Sequence, residues 1–268
     1  MIHPTAIIHP KAKVETTVRV GPYAVIDEGV ELGGGCVVGP HVYLTGRTIV
    51  GPNNHFYAGC VIGEAPQDLR YAGEPTGLRI GERNVFREHV TVNRSSTPGE
   101  ETMVGSGNFF MAAAHVAHNC RVGNSVILAN GALLGGYVSV DDRAFLSASS
   151  MVHQFCRVGA VALTQGGTVL TQDLPPFTIG RRVNELCGLN VVGLRRAGFT
   201  SEERLELKQL YHAVFRAGTK LREAVAEAKK RFPSKTARVL FEFLENTKRG
   251  ICGDTGPGDE PETAQELG

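Results

Sequence analysis

Apolar side chains return at every sixth position from the start of the chain. Counting from Ile2, the series runs Ile8, Val14, Val20, Ile26, Leu32, Val38, Leu44, Val50, Phe56 and Ile62 without a polar member. It resumes at Ile80, Phe86 and Val92, and again at Val104. From there it continues through Phe110, Val116, Val122, Leu128, Leu134, Val140, Leu146, Val152 and Val158 to Leu170, with Thr164 as the one polar interruption. A second series, four residues further on, is small: Ala6, Ala12, Val18, Ala24, Val30, Cys36 and Val42. Glycine often follows the apolar member, as in Val20-Gly21, Val38-Gly39 and Val122-Gly123.

A period of six matches neither the 3.6 of a helix nor the strict alternation of a hairpin strand. It describes a chain that turns a corner every six residues, with the apolar residue pointing into a narrow prism and the small one near the corner. Three such faces close a coil of 18 residues, and coils stack by parallel strand pairing about 4.8 Å apart. The expected architecture is therefore an all-β solenoid, a parallel β-helix of hexapeptide repeats, over residues 1–180. Residues 68–79 and 98–103 leave the register yet span whole multiples of six, so they read as loops extruded from coils that otherwise continue. Loops on a regular scaffold often carry function.

After Pro175-Pro176 the period changes. From Thr200 the spacing is helical: an N-cap and acids at Thr200-Ser201-Glu202-Glu203, then one apolar face of Leu207, Leu210, Tyr211, Val214 and Phe215. A second helix is expected from Leu221 to Phe232 and a third around Ala237, Leu240, Phe241 and Leu244. Residues 181–252 are thus expected to form a C-terminal helical domain capping the open end of the β-helix, where backbone groups would otherwise stay unpaired. Residues 253–268, rich in Gly, Pro and acids, are expected to form an acidic disordered tail.

Composition narrows the function class. No apolar run reaches the roughly 18–20 residues needed to span a bilayer, so no stable membrane insertion is expected. No signal peptide is visible at the N-terminus, and the six cysteines form no CxxC pair, which together favour a reducing, cytoplasmic setting without disulfide or zinc framework. Cys36, Cys60, Cys120 and Cys156 fall on the small position of the repeat and read as buried small hydrophobes. The net charge is +1, but the tail holds Asp254, Asp259, Glu260, Glu262 and Glu266 and no base, leaving the body at +6. That suits an acidic partner or a phosphate-bearing ligand and is too weak to indicate nucleic acid.

Among nine histidines, three have an address on the repeat. Adding 18 to His118 gives Gly136, and 18 more gives Gln154, with Tyr137 and His153 as immediate neighbours. His118, Gly136-Tyr137 and His153-Gln154 therefore form one column on three successive coils. These are either polar residues packed in a subunit contact or the lining of a reactive cleft. His115-Val116-Ala117-His118 also allows a metal reading, but the two histidines occupy different positions of the hexad and no third ligand is evident; no metal and no cofactor are expected.

Several stretches resemble the acyl-carrier-protein-dependent UDP-N-acetylglucosamine O-acyltransferases of lipid A biosynthesis. They are Ile62-Gly63-Glu64, Gln67 through Thr76 with its Gly-Glu-Pro-Thr end, His115-Val116-Ala117-His118-Asn119-Cys120, Leu128-Ala129-Asn130, Val138 through Asp142, Val152-His153-Gln154-Phe155-Cys156, and Asn190 through Arg196. The resemblance covers residues 1 to about 251. It implies a left-handed β-helix, a homotrimer with active sites between subunits, and transfer of an (R)-3-hydroxyacyl group from acyl carrier protein to the 3-hydroxyl of UDP-N-acetylglucosamine or a close analogue. On this resemblance His118 matches the general base, a role suited to an imidazole titrating near neutral pH. Gly136 matches the backbone N–H that stabilises the thioester oxyanion. Asp68 matches a sugar-binding carboxylate, and His115, His153 and Gln154 match substrate contacts. Gly166 matches the residue limiting acyl-chain depth, although a turn glycine is the plainer reading of it. Arg196 matches a basic residue near the carrier site, and Arg70, Tyr137 and Asn190 stand at further substrate-contacting positions.

The chain also departs from that pattern. Asn119 follows the base where the family commonly has an acid, Tyr137 replaces a histidine, and Arg70 replaces a lysine. Val192 and Ala197 stand where some members have Glu and Arg. Competing readings are a related sugar N-acyltransferase acting on a UDP-amino sugar, a γ-type carbonic anhydrase with interfacial zinc, and a non-catalytic β-helix used for assembly.

Overall fold

A computed structural model describes residues 1–256. Short strands, most of two residues, follow one another around three faces and return to the same face every third strand. They build sheets of nine, eight and eleven strands, the ladders parallel except for one hairpin. The fold is a left-handed parallel β-helix. Nearly every strand of the solenoid carries the apolar member of the hexad, whose side chain points inward: Ile26, Leu44, Phe56, Ile62, Val92, Val116, Leu134 and Leu146 are all fully buried. Where the register loses its apolar residue, Thr164 is also fully buried, and its hydroxyl is matched by Ser150 Oγ at 2.7 Å and accepts from Ser147 N–H at 2.9 Å. A polar atom thus enters the prism with its hydrogen bonds satisfied.

The register measures the insertions directly. On one face Val25 pairs with Tyr43 and His115 with Leu133, 18 residues apart, but Val61 pairs with Thr91, 30 apart, and Thr91 with His115, 24 apart. One coil therefore carries twelve extra residues and the next carries six. Their placement differs from the expected 68–79 and 98–103. Gly77–Ile80 is a strand paired with Arg47–Val50, and Glu101–Val104 is a strand paired with it in turn. The chain leaves the prism at 65–76 and 94–100 instead. Leu78 explains the first shift: it lies two residues before Ile80 and is fully buried, so it belongs to the strand.

The C-terminal end differs from expectation in two ways. Residue 181 does not begin a helical region: Thr178–Arg181 joins the largest sheet and turns back antiparallel as Glu185–Leu189. The helices are α1 (Val191–Arg196), α2 (Ser201–Phe215), α3 (Leu221–Arg231) and α4 (Lys235–Glu245). Thr200 and Glu203 form a reciprocal capping box at the start of α2, Thr200 Oγ1 accepting from Glu203 N–H and Glu203 Oε2 from Thr200 N–H. A second core of Leu194, Leu207, Leu210, Phe241 and Leu244 joins the helices to Val161 and Phe177 of the last coils. Gly253–Asp254, placed by the sequence in the tail, is a strand pairing with Glu185 and Leu186. The rest of the expected tail, 257–268, lies outside the described residues. Among the described residues no helix is long and apolar enough to cross a membrane.

Candidate active site

His115 and Val116 form a two-residue strand, Val116 facing the prism and His115 the outside. The chain then turns through Ala117, His118 and Asn119. Asn119, Tyr137 and Phe155, spaced by 18, all take the left-handed backbone conformation of the corner, with φ of 59°, 61° and 66°. Asn tolerates this region better than most residues; Tyr137 and Phe155 adopt it inside a frame of parallel ladders that fixes the corner. Their rings stack at 4.8 Å, and Tyr137 meets the His118 ring edge-on at 5.4 Å.

The His118 imidazole is held between a hydrogen-bonding shelf and bare backbone. A Cβ built on Gly136 would lie 2.7 Å from both Cε1 and Nε2 of His118, so any side chain there would displace the ring. On the other edge, His118 Nδ1 lies 2.9 Å from Asn119 Oδ1 and 3.1 Å from Ser96 Oγ. The amide orientation of Asn119 follows from its other partners. Its oxygen accepts from the Ser96 backbone N–H at 2.9 Å, a group that can only donate. Its Nδ2 faces three acceptors, Ser95 Oγ at 2.7 Å, Glu100 Oε2 at 3.0 Å and Thr97 Oγ1 at 3.2 Å. With an oxygen facing it, His118 Nδ1 must carry the proton, which leaves the lone pair on Nε2, the nitrogen beside Gly136. The family pattern's carboxylate is absent, but Asn119 orients the ring all the same.

Around this pair the solenoid face opens into a cleft of about 540 Å³ lined by Gln67, His115, His118, Gly136, His153 and Gln154, with Leu133 and Met151 as its apolar wall. His115 Nδ1 is bonded to Thr91 Oγ1 at 2.7 Å, and burial, then the neighbouring His118 charge, hold His115 below the usual histidine pKa. Asp68 lies on the 65–76 loop, close enough to feel the His118 charge. Its carboxylate is clamped by the Arg70 guanidinium and backbone N–H, which hold it below the usual carboxylate range. Tyr137 donates to or accepts from Thr97 Oγ1 at 3.0 Å.

The cleft thus gathers His115, His118, Gly136, His153 and Gln154 from the sequence-derived set, with Tyr137 and Asp68 at its margin and Arg70 on the loop. Gly166, Asn190 and Arg196 are not among its lining residues in this protomer. Asn190, expected as a substrate contact, also has a place in the fold. It is 5 % exposed, its Oδ1 caps α1 by accepting from Gly193 N–H, and its Nδ2 donates to Val161 O, so both ends hold the helix to the last coils. Gly166 lacks the positive φ a turn glycine would show, and a Cβ there would meet only Ala148 O at 3.7 Å. The sequence reading missed Gln67, Ser96, Thr97 and Glu100. A signal existed: counting back 24 residues instead of 18, across the six-residue insertion, takes Asn119 to Ser95.

The chain is similar to known proteins over most of its length. A family model described as UDP N-acetylglucosamine O-acyltransferase, domain 2, matches residues 173–252. An acyl-[acyl-carrier-protein]–UDP-N-acetylglucosamine O-acyltransferase from Janthinobacterium is 48% identical over 94% of this chain and 98% of its own length. One from Alkalilimnicola ehrlichii is 49% identical over 93% and 98%. The chain belongs to this acyltransferase family. Among solved structures, the Francisella novicida UDP-N-acetylglucosamine acyltransferase covers the full length of both chains at 32% identity with a TM-score of 0.89. The Bacteroides fragilis enzyme aligns over 94% of this chain and 99% of its own at 35% identity and the same TM-score. This family member is an enzyme that transfers an acyl group from acyl carrier protein to UDP-N-acetylglucosamine, the first step of lipid A biosynthesis.

Proposed function

We propose that His118 is the general base of this transfer and that the Gly136 N–H receives the oxyanion. The observation that carries the reading is the seating of the ring: Nδ1 lies 2.9 Å from Asn119 Oδ1, and Nε2 lies over the Gly136 backbone in the cleft. A sugar hydroxyl is a weak nucleophile until its proton is removed. In this reading the 3-hydroxyl of the sugar attacks the thioester carbonyl of an (R)-3-hydroxyacyl group while Nε2 takes its proton. The tetrahedral oxyanion then accepts from Gly136 N–H, the carbon–sulfur bond breaks, and the leaving thiolate takes the proton back from the imidazolium. Among the described residues, Gly136 N–H has no protein acceptor while Gly135 and Tyr137 on either side do, which supports that role.

The same reading gives His115, His153, Gln154 and Asp68 substrate contacts and sets Arg70 and Tyr137 beside them. Gly166 borders the acyl groove and Arg196 the carrier site. Leu133 and Met151, 40% and 43% exposed beside the cleft, favour a homotrimer in which a neighbouring subunit covers this face. Cys36, Cys60, Cys120, Cys156 and Cys252 are buried thiols outside any disulfide, in keeping with a cytoplasmic enzyme. The test is to incubate the enzyme with UDP-N-acetylglucosamine and 3-hydroxyacyl carrier protein and locate the new ester by NMR. Esterification of the 3-oxygen is expected; acylation elsewhere on the sugar, or transfer only to an amino sugar, would overturn the reading.

A further inference from the structure

The residue touching His118 is an amide where a carboxylate would stabilise an imidazolium more strongly, yet a carboxylate stands directly behind that amide. We propose that Glu100 supplies, through the Asn119 side chain, the negative charge that orients His118 and stabilises its protonated form during the transfer. The inference rests on the reading of His118 as base.

The geometry is a chain of two hydrogen bonds through one amide: His118 Nδ1–H to Asn119 Oδ1 at 2.9 Å, then Asn119 Nδ2–H to Glu100 Oε2 at 3.0 Å. A carboxylate accepting from one end of an amide polarises it and increases the negative charge on the oxygen at the other end. Asn119 has two amide hydrogens. Ser95 Oγ, fully buried, takes one at 2.7 Å, and the carboxylate is nearer to the other than Thr97 Oγ1 is. Glu100 is held in place by its backbone, its N–H donating to Thr97 O and its carbonyl accepting from Gly77 N–H. The six-residue insertion thus carries Ser95, Ser96, Thr97 and Glu100 to the base as one unit. Glu100 is itself exposed to solvent, so its influence is screened and modest. Glu100 acts as a positioning residue, since it meets the imidazole only through Asn119.

The other ionisable groups facing His118 are Asp68 on the 65–76 loop, His115 on its own coil and Tyr137 on the next. None of them changes in the variants that test the proposal. Glu100→Gln keeps an oxygen able to accept the same hydrogen and removes only the charge. The imidazolium is then less favoured, so the acidic limb of kcat/KM should move about half a pH unit lower. On the plateau kcat should fall roughly threefold, while KM for UDP-N-acetylglucosamine stays unchanged. Adding Asn119→Asp to Glu100→Gln puts a carboxylate directly on Nδ1, with the new glutamine amide as its donor. That double variant should recover kcat and return the limb to the wild-type position or above it. The ring-nitrogen titration of His118, followed by ¹⁵N NMR without substrate, should move with the limb in Glu100→Gln and does not require turnover. An unmoved titration and limb in Glu100→Gln would overturn the proposal. So would a kcat loss that comes with raised KM and no limb shift, because that is the signature of a merely structural loop. If His118→Ala is inactive while Glu100→Gln behaves as wild type, only the relay fails; if His118→Ala stays active, the reading of the base fails with it.

Discussion

At the residue scale, what a sequence position says depends on whether its partner sits at a countable distance. His118 and Gly136 are one coil apart, so adding 18 places them together before any coordinates exist, and the steric fit of ring over glycine explains why position 136 carries no side chain. Ser96 and Glu100 were not legible in this way, because they lie within the insertion itself, which carries no hexad register. Asn190 has a fold role the sequence did not show: its amide caps a short helix whose existence no periodicity signals and ties it to Val161. Gly166 separates a backbone role from a steric one. Its conformation is open to any residue, and the protomer itself leaves room for a Cβ. Gly166→Met should therefore fold normally and shift the preferred hydroxyacyl chain to a shorter one. Each methylene excluded from burial forfeits about 0.8 kcal/mol, so a block of several carbons changes selectivity by orders of magnitude. Competition assays with carrier thioesters of several lengths read this directly; an unchanged length profile in the folded variant would show that the groove does not pass Gly166.

At the element scale, the hexad is a strong signal because it repeats, and each strand of two residues is stable only through its neighbours above and below. Helices α2, α3 and α4 were readable from caps and 3.6 spacing. The Thr178–Leu189 hairpin was not, since two antiparallel strands after a proline pair carry no six-residue period. Nor was the last strand, where only tertiary pairing draws Gly253–Asp254 out of an acidic stretch and onto the sheet edge. There Asp254 accepts from Tyr211 OH at 2.9 Å and from Arg216 Nε at 2.6 Å, and it is only 5% exposed at the side chain. This joint ties the sheet to α2. Asp254→Ala would leave both donors without that acceptor and should cost about 1–3 kcal/mol, seen as a lower denaturant midpoint with kcat little affected. A midpoint equal to that of the wild type would mean the joint adds nothing to stability.

At the scale of the whole molecule, the solenoid acts as a ruler. It stacks His118, Gly136 and Gln154 along one column, and two insertions bring loop residues to that column without disturbing the coils on either side. An open cleft with an apolar wall on one face of a prism fits a surface completed by symmetry, and light scattering should give a mass near three times 28.7 kDa. A monomer at working concentration would contradict that assembly. The central claim, that a single imidazole with its lone pair on Nε2 performs the proton transfer, is tested most directly by the turnover number of His118→Ala. The assay would use UDP-N-acetylglucosamine and 3-hydroxyacyl carrier protein, with thermal midpoint and mass measured on the same sample. Wild-type midpoint and mass with kcat lowered about 10²–10⁴-fold is the expected result; a folded, correctly assembled variant turning over at nearly the wild-type rate would contradict it.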